Sequence, residues 1–175
     1  MNIKKIVVGS LQTNCYLLLD GGELVIVDPG DEAQKIIGEI QKIGAAVKFI
    51  VNTHRHFDHI GANRELEKEF GVRKVDLKDG DVVSIGQVRL RAVATPGHTP
   101  EGICLFGKDF AITGDTLFAD GFGRTDLAGG SSADMAVSLA KLDNLIPEGG
   151  MVYPGHGDVF VYKKGMALEW LDYLE

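Results

Sequence analysis

The stretch Thr53-His54-Arg55-His56-Phe57-Asp58-His59 places three imidazoles and one carboxylate within six positions. All four groups bind divalent metals. Residues two apart on an extended backbone leave from the same face, so His54 and His56 can meet one ion. Asp58 and His59 are adjacent and diverge on any regular element, which suits two ions better than one. The chain has five histidines, and the other two share a setting: His98 follows Thr95-Pro96-Gly97, and His156 follows Tyr153-Pro154-Gly155. Histidines scattered for structural purposes would not share one pattern of glycine turns at the ends of apolar runs. Asp115, in Thr113-Gly114-Asp115-Thr116, also ends an apolar run and is a candidate ligand, the alternative being a turn cap. Asp28, in Val27-Asp28-Pro29-Gly30, has a similar look without a partner motif and reads as a supporting or turn residue.

His54, His56, Asp58, His59, His98, Asp115 and His156 make seven candidate ligands, too many for one tetrahedral zinc. Two ions sharing one carboxylate accommodate them. Ions paired in this way lower the pKa of a bound water towards ~7 and supply hydroxide at neutral pH. The chemistry expected is hydrolysis with no covalent enzyme intermediate.

The elements that must position these groups are legible from periodicity. Residues 3–8, 13–19 and 23–27 read as strands of an antiparallel meander. Ala33, Ile36, Ile37, Ile40 and Ile43 mark one face of a helix that Gly44 ends. Residues 47–51 form the strand that feeds the histidine cluster, and a helix is expected over 60–70. Further strands are expected at 72–75, 81–85, 88–93, 102–106, 110–113 and 151–153. The glycine-rich segment 120–130 reads as a long functional loop. Ser131 and Asp134 read as a capping box for a helix that carries Met135, Leu139, Leu142 and Ile146 inward, and residues 167–174 read as a short closing helix.

At 175 residues, 45% hydrophobic and 25% charged, the chain reads as one soluble globular domain, residues 1–175. No apolar run approaches the ~20 residues of a membrane span. Residues 1–5 lack the pattern of a secretory leader, so a cytoplasmic location is expected. A net charge of −7 argues against a nucleic-acid surface. A small-molecule substrate is therefore expected, with no nucleic-acid or membrane partner, on a monomer or small homo-oligomer. Cys15 and Cys104 lie in apolar strand-like runs, where free cysteine behaves as a small hydrophobe.

The order T-H-x-H-x-D-H, P-G-H-T, G-D-T and P-G-H-G resembles the metallo-β-lactamase superfamily over nearly the whole chain. The resemblance implies an α+β fold, a four-layer αββα sandwich with the metal site at the edge of its two sheets. It implies that His54, His56 and His98 hold one ion, that Asp58, His59 and His156 hold a second, and that Asp115 bridges them. Zinc is the metal it implies, with iron or manganese as alternatives, and Asp58 would also orient the nucleophile. Asn14-Cys15-Tyr16, Val27-Asp28-Pro29-Gly30 and Gly114-Asp115-Thr116-Leu117-Phe118 are similar to the glyoxalase II-like branch, whose members hydrolyse thioesters such as hydroxyacylglutathione. Gly123-Arg124-Thr125-Asp126 looks like the compact members of that branch and also like persulfide dioxygenases. The rival expectation is therefore a dioxygenase with one iron held by His54, His98 and Asp115. Arg124 is a candidate for gripping an anionic part of the substrate, or for pairing with Asp126 inside its loop. Tyr153 and Phe118 are candidates for lining the pocket or for core packing.

Overall fold

The computed structural model describes residues 1–174. These form two compact units, one of residues 1–77 with 82–90 and the other of residues 78–81 with 91–174.

The first unit contains β1 (Asn2–Val8), β2 (Thr13–Asp20), β3 (Glu23–Val27), α1 (Ala33–Ile43), β4 (Ala46–Val51), α2 (Phe57–Ile60), α3 (Asn63–Phe70) and β5 (Lys74–Val75). It also holds β6 (Val82–Ile85) and the beginning of β7 (Val88–Ala94). The first five strands make a sheet in the order β1-β2-β3-β4-β5. The meander β1 to β3 is antiparallel, as its short turns require, whereas β4 and β5 join in parallel. A parallel step needs a crossover, and α1 supplies it. Its Ile36, Ile37 and Ile40 pack with Leu17, Leu24 and Ile26 of the sheet in one apolar cluster. Gly44 caps the helix in the left-handed conformation at φ 71° and donates its N–H to Ile40 O.

The single helix expected over 60–70 is two helices. Gly61 lies so close to the turn after β3 that an added Cβ would stand 2.2 Å from Gly30 O. Ala62 N–H donates to Pro29 O at 3.0 Å instead of continuing the helical ladder. The sequence pattern does not reveal a break caused by a tertiary hydrogen bond.

The second unit contains the rest of β7, then β8 (Ile103–Phe106), β9 (Phe110–Gly114), α4 (Ser132–Leu145), β10 (Met151–Pro154) and β11 (Phe160–Val161). The second sheet has the order β11-β10-β9-β8-β7-β6. Its β8 is antiparallel to both β7 and β9, and β10 is parallel to β9. Consequently β7, β9 and β10 all run in one direction. Met135, Leu139, Leu142 and Ile146 are buried together with Cys104, Ala111 and Val152. Ser131 caps α4 by accepting from Asp134 N–H at 3.1 Å. Its own N–H, which a full capping box would return to the residue-134 side chain, donates instead to Gly97 O at 2.8 Å. The closing helix over 167–174 is a 3-10 helix at Leu168–Tyr173.

Both cysteines are fully buried. Burial pushes the Cys104 thiol up to about 11 and the Cys15 thiol higher still, so both are protonated at neutral pH. Among the described residues no helix is long and apolar enough to cross a membrane.

Candidate metal centre

In the first unit, the parallel pairing of β3 with β4 sets Val27 opposite Val51, so Asp28 and the histidine cluster emerge at the same edge. The Asp28 N–H donates to Val51 O at 3.0 Å, and its carboxylate is buried. The Thr53 N–H donates to Asp28 Oδ1 at 2.7 Å and the Thr53 hydroxyl to Oδ2 at 2.6 Å. A hydroxyl has one proton to give, so toward His54 Nδ1, at 3.2 Å, Thr53 Oγ1 can only accept. His54 therefore carries its proton on Nδ1 and keeps the Nε2 lone pair. That Nε2 lies 3.0 Å from His56 Nδ1. His59 Nδ1 lies 3.1 Å from Asp28 Oδ2, and its Nε2 lies 3.5 Å from Asp58 Oδ2. Thr13 Oγ1 donates to Asp58 Oδ2 at 3.0 Å. The backbone is held as tightly: Asn52 Nδ2 donates to His59 O at 2.8 Å, and a Cβ on Gly30 would lie 1.5 Å from Asp58 O.

In the second unit, β7, β9 and β10 end together and release His98, Asp115 and His156. Pro154 sits opposite Gly114, and Gly155 N–H donates to Gly114 O at 2.8 Å, so Asp115 and His156 follow a fixed register. Thr95 Oγ1 and Thr116 Oγ1, 3.0 Å apart, tie the loops after β7 and β9. The Nε2 atoms of His98 and His156 lie 3.4 Å and 3.5 Å from the same oxygen, Asp115 Oδ2. His98 Nδ1 donates to Arg124 O at 2.7 Å, because a carbonyl only accepts, which again leaves Nε2 its lone pair. Gly123 brings that carbonyl in: a Cβ there would lie 1.9 Å from Asp115 O and 3.0 Å from the His98 ring. Gly97 packs on α4, where a Cβ would meet the Met135 backbone at 2.6 Å.

Two atoms bound to one tetrahedral ion at ~2.05 Å stand about 3.3 Å apart. The donor pairs here stand 3.0, 3.5, 3.4 and 3.5 Å apart, and four of the histidines, His54, His59, His98 and His156, direct Nε2 toward another donor. The residues present fit divalent metal.

All seven residues expected as ligands fall in these two clusters, four in the first unit and three in the second. Arg124 is placed otherwise than as an open fork: its Nε and Nη2 donate to the Asp126 carboxylate, each at 2.7 Å. The pair holds Asp126 down to about 2, because its carboxylate accepts these bonds. It is the Arg124 carbonyl that meets a histidine. Tyr153 is half-buried edge-on to Phe110, their ring centres 6.0 Å apart, and partial burial raises its phenol. Phe118 stands edge-on to the His156 ring at 6.1 Å. Sequence reasoning missed Thr13, Thr53, Asn52 and Gly123. Only Thr53 carried a signal, its place beside His54.

The sequence matches the metallo-beta-lactamase superfamily over residues 8–75 and 73–156. The chain belongs to that superfamily, and its two mixed sheets with few helices have the α+β sandwich fold of metallo-β-lactamases. Membership places it among the metallo-hydrolases. It is 32% identical to the probable metallo-hydrolase YqgX of Bacillus subtilis, over 90% of each chain. It is 28% identical to the hydroxyacylglutathione hydrolase GloC of Haemophilus influenzae, over 90% of this chain and 91% of the other. Among solved structures it is similar to the B3 metallo-beta-lactamase BLEG-1, with a TM-score of 0.88, 26% identity and 99% of each chain covered. It is also similar to TTHA1623, solved in a di-iron-bound form, with a TM-score of 0.82, 28% identity and 90% and 94% coverage.

Proposed function

We propose that this protein is a dinuclear metallo-hydrolase acting on a small thioester or related acyl compound. His54, His56 and His98 hold one ion, Asp58, His59 and His156 hold the other, and Asp115 bridges. The observation that carries this reading is Asp115 Oδ2, nearly equidistant from the Nε2 atoms of His98 and His156 at 3.4 Å and 3.5 Å. A carboxylate so placed serves two ions, whereas a single-iron oxygenase needs no such bridge. Zinc suits an imidazole-rich set, and the di-iron form of TTHA1623 gives iron as the alternative.

When bound, the ions supply Lewis acidity, activating water and polarising a carbonyl oxygen. The chain's own groups do the rest. Asp58, held by Thr13, orients the attacking water. Burial of His54, His59 and His98 keeps bulk water from competing for the donor set. Leu11 and Phe57, both exposed, flank a cleft of about 40 Å³ that also includes Thr13 and Asp58. The hydroxyacylglutathione hydrolase activity named for GloC supports the thioester class.

The test is a thioester panel with glutathione, coenzyme A and simple alkyl thiols as carriers, assayed on metal-free, zinc-loaded and iron-loaded protein. Thiol release that depends on two ions per chain is expected. No hydrolysis of any carrier, with oxygen uptake on a persulfide by protein holding one iron, overturns the hydrolase reading.

A further inference from the structure

We infer that Ser138 is a positioning residue for His98, holding the peptide that leads into it, an inference that rests on the reading of His98 as a metal ligand. The inward stripe of α4 is Met135, Ser138, Leu139 and Leu142, spaced i, i+3, i+4 and i+7, and serine is its one polar member. Ser138 is 1% exposed, and a hydroxyl buried at that depth must find a partner. Inside a helix a serine can bond back to the carbonyl four residues earlier. Here its single proton goes 42 positions away, to Pro96 O at 2.6 Å.

The receiving peptide needs such a donor. Proline has no N–H, so the carbonyl is the one backbone group by which Pro96 can be held. Gly97 follows at φ 141°, where glycine is unstrained and other residues are not, so little in the chain itself stiffens the turn. The Gly97 N–H donates inside the loop, to Thr99 O at 3.2 Å. The last two peptide planes before His98 are therefore pinned to α4. One is held through Pro96 O by the Ser138 hydroxyl, the other through Gly97 O by the Ser131 N–H at 2.8 Å. Of these two donors only the hydroxyl can be removed by substitution. Ser138 acts on the peptide and not on the imidazole, whose Nδ1 donates to Arg124 O. The peptide sets where the ring starts, and the Arg124 carbonyl sets how it turns.

Metal-free full-length protein is titrated with zinc against a chromophoric chelator, with circular dichroism of the metal-free form reading folding and melting. His98→Ala marks the binding step that needs His98. Ser138→Ala is expected to weaken that step about tenfold and to leave the other within about twofold of wild type. Ser138→Cys, close to serine in shape but a weaker donor, should fall between. Leu142→Val trims the same stripe and removes no hydrogen bond, so it should lower the melting temperature with both affinities unchanged. Wild-type affinity in Ser138→Ala overturns the inference, as does equal weakening of both steps, or a Leu142→Val protein that loses the His98 step to the same degree. Should Ser138→Ala fail to fold, Ser138→Cys decides alone, a weakened His98 step supporting the inference and wild-type affinity overturning it. If His98→Ala binds zinc as wild type does, the ligand reading fails, and this inference with it.

Discussion

The two ligand clusters reach similar geometry by opposite means. In the first unit four proposed ligands lie within six consecutive residues on one strand-to-helix turn, and side chains aim them: Asp28, Thr53, Asn52 and Thr13. In the second unit three proposed ligands are spread from residue 98 to residue 156, each on its own loop, and the backbone aims them through strand register, the Arg124 carbonyl and tight glycine contacts. A contiguous cluster depends on polar side chains that can be replaced one at a time. A dispersed cluster depends on close packing, where an added methyl group moves several ligands at once.

The hardest break is to take one ligand from each cluster. Asp58→Ala and His98→Ala should each lower kcat by about a thousandfold or more, the scale of several kcal/mol of lost charge stabilisation. Melting of the metal-free proteins should stay near wild type. An Asp58→Ala enzyme of unchanged rate would remove that residue from the mechanism. Next comes Gly123→Ala, which sets a methyl group 1.9 Å from Asp115 O. Overpacking of this kind costs about 1–3 kcal/mol, and bound metal should fall along with the melting temperature. If glycine contacts do not aim the second cluster, Gly123→Ala will retain full metal content.

Thr13→Val should sharpen the contrast, because losing one side-chain bond to Asp58 leaves the packing intact. A kcat about tenfold lower with a melting temperature within a few degrees of wild type is expected. Arg124→Ala should do less. Its guanidinium is occupied by Asp126 and its carbonyl remains on His98, so kcat/KM should fall only severalfold. A tenfold rise in KM at constant kcat would instead assign the guanidinium to substrate.

Smallest is the Cys104 effect. Its folded pKa, about 11 against an ordinary 9.0, means that the native state holds a proton that the unfolded chain loses first. This contribution to stability is complete below pH 9 and declines as pH rises from 9 to 11. Wild type should therefore lose slightly more stability than Cys104→Ala across that window in urea titrations. A parallel decline in the two proteins would contradict the burial argument.

Residue type and spacing alone supplied the candidate ligands, because divalent metal accepts few donor types and five histidines at strand ends leave little else to explain. The meander, α1 and the cap at Gly44 were equally legible, since turn residues and apolar period are local properties. The break at Gly61 and the diversion of the Ser131 N–H to Gly97 were not, because each answers to a hydrogen bond with a residue more than thirty positions away. Nor did the sequence distinguish an Arg124 that grips substrate from one whose carbonyl orients His98. Residue types and periodicity thus supplied the candidate groups for the chemistry and the strands that carry them. Only tertiary structure decided which ring nitrogen each histidine presents, because a tautomer is set by the acceptor packed against it, and sequence distance does not say which acceptor that is.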